Sequence, residues 1–359
     1  MTHRTAKHIS TGDAAWGKLA RVICAGMLVS LVGCTPSGRD PQLSHGATSA
    51  ATPVMQVVRL DPDLDAVVAP GTVIERIATG FKFGEGPMWR QGRLWFSDLA
   101  GNRMFAVTPE GGVQLLIDRS GGLENPPPGS FVGSNAMATD KDGSVLMLQH
   151  GMRRIVRLDE RFGMHAFLER FEGKRFNSPN DLVVDSEGAL WFTDPPFGLL
   201  KKNEDAAKEL PFNGVFRYKD GHLTAPIRDL ALPNGIAFSP DGKTLYISNS
   251  GPKMFVMKYP VGEGGALGNG KKFIEYQDDS AASVPDGMKV DVAGNVWTSG
   301  PGGVRIIAAN GRVLGQIRLP EPAANLAWGD DGKTAYITAT TSIYRVRSLV
   351  SGNLPVYRR

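Results

Sequence analysis

The chain has 359 residues, 42% of them hydrophobic, with 44 Gly and 24 Pro, which is enough apolar mass for a large core broken by many turns. Residues 1–34 hold four of the 40 Lys and Arg and one of the 36 Asp and Glu, so the net +4 falls to 36 − 35 = +1 beyond them. No basic tract interleaved with aromatics is present, which argues against a nucleic-acid partner.

In chain order, Lys18 and Arg21 precede an apolar run at residues 22–33, the order of a secretory signal and too short for a transmembrane helix. The run ends in "LVGC", which resembles a bacterial lipobox. That resemblance implies a lipoprotein signal peptide over residues 1–34, with Cys34 lipidated as the new first residue and a membrane as partner. Cys24 falls inside the removed segment, so the mature protein has one Cys and no internal disulfide. Thr35 rather than Asp follows Cys34, and by analogy with sorting in two-membrane bacteria this points to a periplasm-facing anchor in the outer membrane. Small, polar and Pro-bearing residues then predict a flexible tether over 35–69, a folded domain over 70–350 and a tail over 351–359.

The folded part repeats. "EGPMWRQGRLWFSD" from Glu85, "NAMATDKDGSVLMLQH" from Asn135, "NDLVVDSEGALWFTD" from Asn180, "NGIAFSPDGKTLYISN" from Asn234, "DGMKVDVAGNVWTSG" from Asp286 and "NLAWGDDGKTAYITA" from Asn325 are six copies of one pattern. Their starts are 50, 45, 54, 52 and 39 residues apart, and most copies are followed by a third short strand such as "RRIVRLD" or "GVFRYKD". Three or four strands per unit with no long helical periodicity predict an all-β, six-bladed β-propeller. The last copy lacks room for an outer strand, and "TVIERIATG" at residues 72–80 has no blade of its own; it is expected to pair into blade six and close the ring.

In a propeller the first strand of each blade lies nearest the axis, so the residues that open these copies are expected to converge. They are Glu85, Asn135, Asn180, Asn234, Asp286 and Asn325, and all six carry side-chain oxygen. Singly, Asn-Gly and Asp-Gly are ordinary turn formers. Five copies, however, have a separate hairpin signal six to eight residues later, which leaves the opening residues free for a site. Converging oxygens without Cys or a His pair suit a hard divalent cation: calcium first, with zinc, magnesium and manganese as the other candidates. Two carboxylates in a narrow channel would repel by about 4 kcal/mol at 4 Å and an effective dielectric near 20, a penalty that a divalent cation removes.

"EGPMW", "NSPNDLVVDSEGALWFTDPPFGL", "PNGIAFSPDGKTLYISNS" and "VPDGMKVDVAGNVWTSGPGGV" resemble the SMP-30/gluconolactonase family, in particular its bacterial gluconolactonase branch, over residues 72–347. The resemblance implies a divalent metal, usually calcium, on the propeller axis, held by Glu85, Asn180, Asn234 and Asp286, and a sugar lactone as substrate. It also implies His150, in "LQHGMRR", as a substrate-facing residue, although Gln149 stands where the family usually has an acid. Asn135 is expected to hydrogen-bond a sugar hydroxyl.

The expected reaction is lactone hydrolysis, with the metal polarising the carbonyl, a water attacking, and Asp286 as the catalytic base. Hydrolysis of other esters or phosphotriesters at the same site, or a non-catalytic binding propeller, are the alternatives. There is no GxSxG, CxxC, HExxH or phosphate-binding Gly-Lys-Ser/Thr loop. Asp98 and Asp194, at the ends of "FSD" and "FTD", are expected to cap turns, and the long loops 121–131 and 198–214 are expected to serve as lids or as solvated surface.

Overall fold

Each repeat forms one antiparallel sheet, and the sheets follow one another around a ring. The structure is a computed structural model that describes residues 55–277, 283–329 and 331–357. The predicted signal peptide, Cys34 and the first part of the predicted tether lie outside the described residues.

Blade one runs from its innermost strand Gly84–Arg90 outward through Arg93–Asp98 and Arg103–Val107 to Val113–Asp118. The next three start at Ser134–Thr139, Leu182–Val184 and Pro233–Phe238 and have four strands each. Blade five starts at Met288–Val290 and blade six at Ala323–Gly329. Ile74–Thr79 pairs antiparallel with Ser342–Arg347 as the outer strand of blade six, so the expected closure is present.

The start of the fold differs from the expected tether. Gln56–Arg59 pairs with Val313–Arg318 as a fifth strand on blade five, and a short 3-10 turn, Pro62–Ala66, follows it. Leu64, Val67 and Val68 are buried there against Trp297, Ile317 and Val346. Arg59 donates to the carbonyls of Val68 at 3.0 Å and Ala69 at 2.7 Å. Residues 56–69, expected as part of a tether, therefore belong to the folded domain. The expected tail is also incorporated: Gly352 donates to the Gly332 carbonyl and Asn353 to that of Val290, both at 2.8 Å.

Aromatic side chains fill the seams between blades. Trp191 of blade three meets Phe238 of blade four edge-on at 5.8 Å, Trp297 meets Trp328 at 5.0 Å, and Trp89 stacks on Tyr336 at 5.0 Å across the closure. The hairpin acids satisfy two of the buried indoles, since Trp191 Nε1 donates to Asp185 at 2.9 Å and Trp297 Nε1 to Asp291 at 3.1 Å. Asp98 and Asp194 cap turns as expected: Asp98 accepts from the amides of Lys82, Phe83 and Gly101, and Asp194 from those of Asn177 and Ser178.

Around the axis, neighbouring blades are laced together by hydroxyls from their second strands. Ser97 donates to the Asn135 carbonyl at 2.8 Å, Thr193 to that of Asn234 at 2.7 Å, Ser248 to that of Asp286 at 2.8 Å and Ser299 to that of Ala324 at 2.7 Å. These bonds satisfy buried carbonyls of the innermost strands and fix the backbone from which the axial side chains hang.

Candidate active site

The local backbone explains why the opening residue of each repeat reaches the axis. The pairing between the first two strands slips between Glu85 and Met88, between Ser134 and Met137, and between Pro233 and Ile236. A bulge at this point turns a side chain out of its normal alternation and toward the ring centre. In blades three and five, pairing begins only at Leu182 and Met288, leaving Asn180 and Asp286 ahead of the regular ladder. The Gly that follows an axial residue is there for close approach rather than for a turn. A Cβ on Gly86, whose φ is 55°, would lie 2.3 Å from the Asn135 carbonyl oxygen, and one on Gly235 would lie 2.2 Å from that of Asp286.

Glu85, Asn135, Asn180, Asn234 and Asp286 all line one cavity of about 250 Å³, together with His150. A chain of amide hydrogen bonds runs around it: Asn135 Nδ2 donates to Asn180 Oδ1 at 2.8 Å, Asn180 Nδ2 to Asn234 Oδ1 at 2.6 Å, and Asn234 Nδ2 to Ser250 Oγ at 3.0 Å. Two oxygens in this ring, Glu85 Oε1 and Asn135 Oδ1, are buried without a partner. His150 Nδ1 donates to the Phe131 carbonyl at 3.1 Å, and its Nε2 lies 3.3 Å from Asn135 Nδ2. Burial pulls the His150 pKa down to about 4, so the imidazole is neutral and presents Nε2 as an acceptor.

The two axial carboxyls are electrostatically frustrated. Burial, then repulsion from Asp181, pushes Glu85 up to about 7. Asp286 is also raised well above the carboxylate range, by burial first and then by Glu85 and Asp181. Among the described residues no group of three His, Cys, Asp or Glu side chains forms a metal cluster, so the ligand set here is two carboxylates and amides.

Asn325 departs from expectation. It is buried behind Glu85, to which its Nδ2 donates at 3.3 Å, and its Oδ1 accepts from the Leu326 amide at 2.9 Å and from Lys289 Nζ at 3.3 Å. It lines a second chamber of about 290 Å³, with Asp181 and Lys289. Five of the six opening residues thus share the cavity and the sixth braces it.

Sequence reasoning missed Asp181, next to Asn180, and Lys289, three residues after Asp286; Asp181 raises both axial carboxyls and Lys289 partly offsets this at Glu85. It also missed the cavity walls. Phe131 comes from the end of the 121–131 loop, Gly198 through Leu200 with Lys202 come from the 198–214 loop, and Phe197 immediately precedes it, so both long loops reach the site. Phe83 packs edge-on against Phe131 at 5.2 Å and completes an apolar rim.

Residues 83–341 match the model of the SMP-30/Gluconolactonase/LRE-like region. The chain belongs to this family. It is 36% identical to a gluconolactonase from Zymomonas mobilis over 94% of this chain and 99% of that protein. A solved gluconolactonase structure from Xanthomonas campestris is 30% identical, covering 81% of this chain and 94% of that one, with a TM-score of 0.72. A structure from Agrobacterium tumefaciens described as a calcium-binding protein, regucalcin, shares the fold at 17% identity, with a TM-score of 0.62 over 80% of this chain and 98% of that one. The SMP-30/gluconolactonase motifs "EGP", "SPND", "PNG" and "PDGM" are the segments that place Glu85, Asn180, Asn234 and Asp286 in the cavity wall.

Proposed function

We propose that this protein hydrolyses sugar lactones at the axial cavity, with a divalent cation, calcium first, held by Glu85, Asn180, Asn234 and Asp286. The observation that carries the reading is the convergence of two repelling carboxyls and several amides on one cavity, with Glu85 Oε1 and Asn135 Oδ1 buried and unpartnered. Such a set fits a hard cation, since the charge removes the repulsion and the free oxygens gain a partner. When bound, the cation supplies Lewis-acid polarisation of an ester carbonyl.

The chain's own residues do the rest. Asp286, part-exposed to the cavity, takes the proton from the attacking water through its carboxylate. Asn135, through its unpartnered Oδ1, and the neutral His150, through Nε2, offer acceptors to ring hydroxyls, and Phe83, Phe131 and Phe197 exclude water around the apolar face of the sugar. The expected result is catalysed acid release from D-glucono-1,5-lactone in a pH-stat, above the spontaneous rate; no acceleration on this or any aldonolactone would contradict the reading.

Chelation has a predictable effect on stability. Glu85 in the fold titrates at about 7, above its ordinary 4.5, so between these values the folded chain keeps a proton that the unfolded chain has lost. The stability of EDTA-treated protein is therefore full below the lower value and is lost as pH rises to the upper one. Thermal melts should show Tm falling over that window, and calcium should raise Tm most at its upper end. A Tm that ignores both pH and calcium would sink the assignment of these carboxyls.

The lipid anchor at Cys34 is part of the same reading and rests on "LVGC" and the charged-then-apolar segment before it. It places the enzyme on the periplasmic face of the cell envelope. Cys34→Ser is expected to move the protein from the membrane pellet to the soluble fraction; a soluble wild type would refute the anchor.

A further inference from the structure

The lining of the axial cavity changes character with depth. Glu85, Asn135, His150, Asn180 and Asn234, which carry most of its hydrogen-bonding groups, are buried. Phe83, Phe131, Phe197 and Val284 line the same cavity half-buried, and Leu200 is 63% exposed. A lone exposed Leu needs no explanation, but this one shares the lining of a single cavity with three aromatic rings. The polar groups therefore sit at the floor and the apolar ones toward solvent.

Contacts lead from one zone to the other. Asn135 Nδ2 lies 3.3 Å from His150 Nε2, His150 Nδ1 donates to the Phe131 carbonyl at 3.1 Å, and the Phe131 ring meets that of Phe83 edge-on at 5.2 Å. Gly198, which follows Phe197, also packs on His150: a Cβ there would lie 2.9 Å from the His150 Cβ. The Phe197 ring in turn engages Lys202, whose ammonium lies 5.4 Å from its centre. His150 thus marks the boundary between the polar floor and the apolar mouth. A lactone whose ring is met by Asn135 and His150 has apolar side chains around whatever its ring carries beyond them. A hydroxyl placed there gives up water without gaining a partner, whereas a hydrocarbon gains by leaving water.

We propose that the site has a further activity, the hydrolysis of lactones whose ring carries an aliphatic chain, with the chain lying against Phe83, Phe131 and Leu200. This rests on the lactonase reading above and adds a substrate class to it. Water adds to the carbonyl carbon, the ring C–O bond breaks, the leaving oxygen takes a proton to become a hydroxyl, and the hydroxy acid formed releases one proton at neutral pH. Each methylene taken out of water is worth about fourfold in affinity, so covering two of them exceeds about tenfold.

The test measures acid release in a pH-stat from δ-valerolactone, from δ-decalactone, which is the same ring with a pentyl chain, and from D-glucono-1,5-lactone, with calcium present. Wild type is expected to favour δ-decalactone over δ-valerolactone in kcat/KM by about tenfold or more, chiefly through KM. Leu200→Ser, at a position too exposed to endanger the fold, and Phe131→Ala are each expected to cut that ratio several-fold, whereas Leu200→Met keeps it, a rescue that a merely structural Leu would not show. Equal kcat/KM for the two δ-lactones in wild type, or a ratio that survives in both Leu200→Ser and Phe131→Ala, would overturn the proposal; turnover of D-glucono-1,5-lactone in the same assay then leaves the lactonase reading standing. If none of the three lactones is hydrolysed, that reading fails and this proposal with it.

Discussion

Asp286→Asn is expected to lower kcat for lactone hydrolysis by about 10²- to 10⁴-fold, the range over which a positioned general base acts. The exchange keeps the shape of the side chain and one oxygen for the neighbouring Asn234 amide, so the propeller should fold as before. What it removes is the basic oxygen. In the fold Asp286 is pushed up by burial and by Glu85 and Asp181 and so keeps its proton; a cation that offsets those charges would free its carboxylate to act as the base. Because the residue is also proposed as a ligand, the assay belongs at saturating calcium, where lost affinity and lost proton transfer separate. A kcat near wild type with metal bound would remove Asp286 from the role of base and leave it as a ligand only.

The second large effect concerns the N-terminal segment. A chain beginning at Met55 should fold and melt like the full protein, whereas one beginning at residue 70 should be largely unfolded at 37 °C. The difference lies in Leu64, Val67 and Val68, which are 0%, 4% and 0% exposed. At about 1.5–3 kcal/mol for each buried aliphatic side chain, losing three of them removes roughly 4.5–9 kcal/mol, comparable with the whole stability of many domains. The truncation would also bare the Val313–Arg318 edge of blade five and take away the Asp61 and Asp63 partners of Arg312. Circular dichroism and thermal melting of the two chains decide the matter. Equal melting temperatures would mean that this strand is ornamental.

The ring of six blades could be read from the sequence because every blade restates one pattern, and the closing strand because one repeat lacked an outer strand that another segment could supply. The axial residues were readable for the same reason: the bulge that aims them is built from the same local residues in several copies. Asn325 shows where that logic stops. It holds the equivalent position, yet its oxygen is taken by the Leu326 amide and Lys289, which turns the side chain behind Glu85. Its partner Lys289 gives no signal of its own in a strand that reads as ordinary.

Gln56–Arg59 was missed because four residues set among Asp and Pro resemble a linker, and their partners lie some 250 residues later in the chain. Phe131, Phe197 and Lys202 were missed because they belong to loops, which do not repeat. The hydroxyls of Ser97, Thr193, Ser248 and Ser299 recur in the second strands but look like plain strand residues until the neighbouring blade supplies their carbonyls.

The most direct test of the axial metallo-lactonase is acid release from D-glucono-1,5-lactone by EDTA-treated protein, before and after calcium is restored, in wild type and Glu85→Gln. The account predicts that turnover is lost on chelation, returns with calcium in wild type, and does not return in Glu85→Gln. Turnover that survives complete chelation, or that Glu85→Gln retains at saturating calcium, would contradict it.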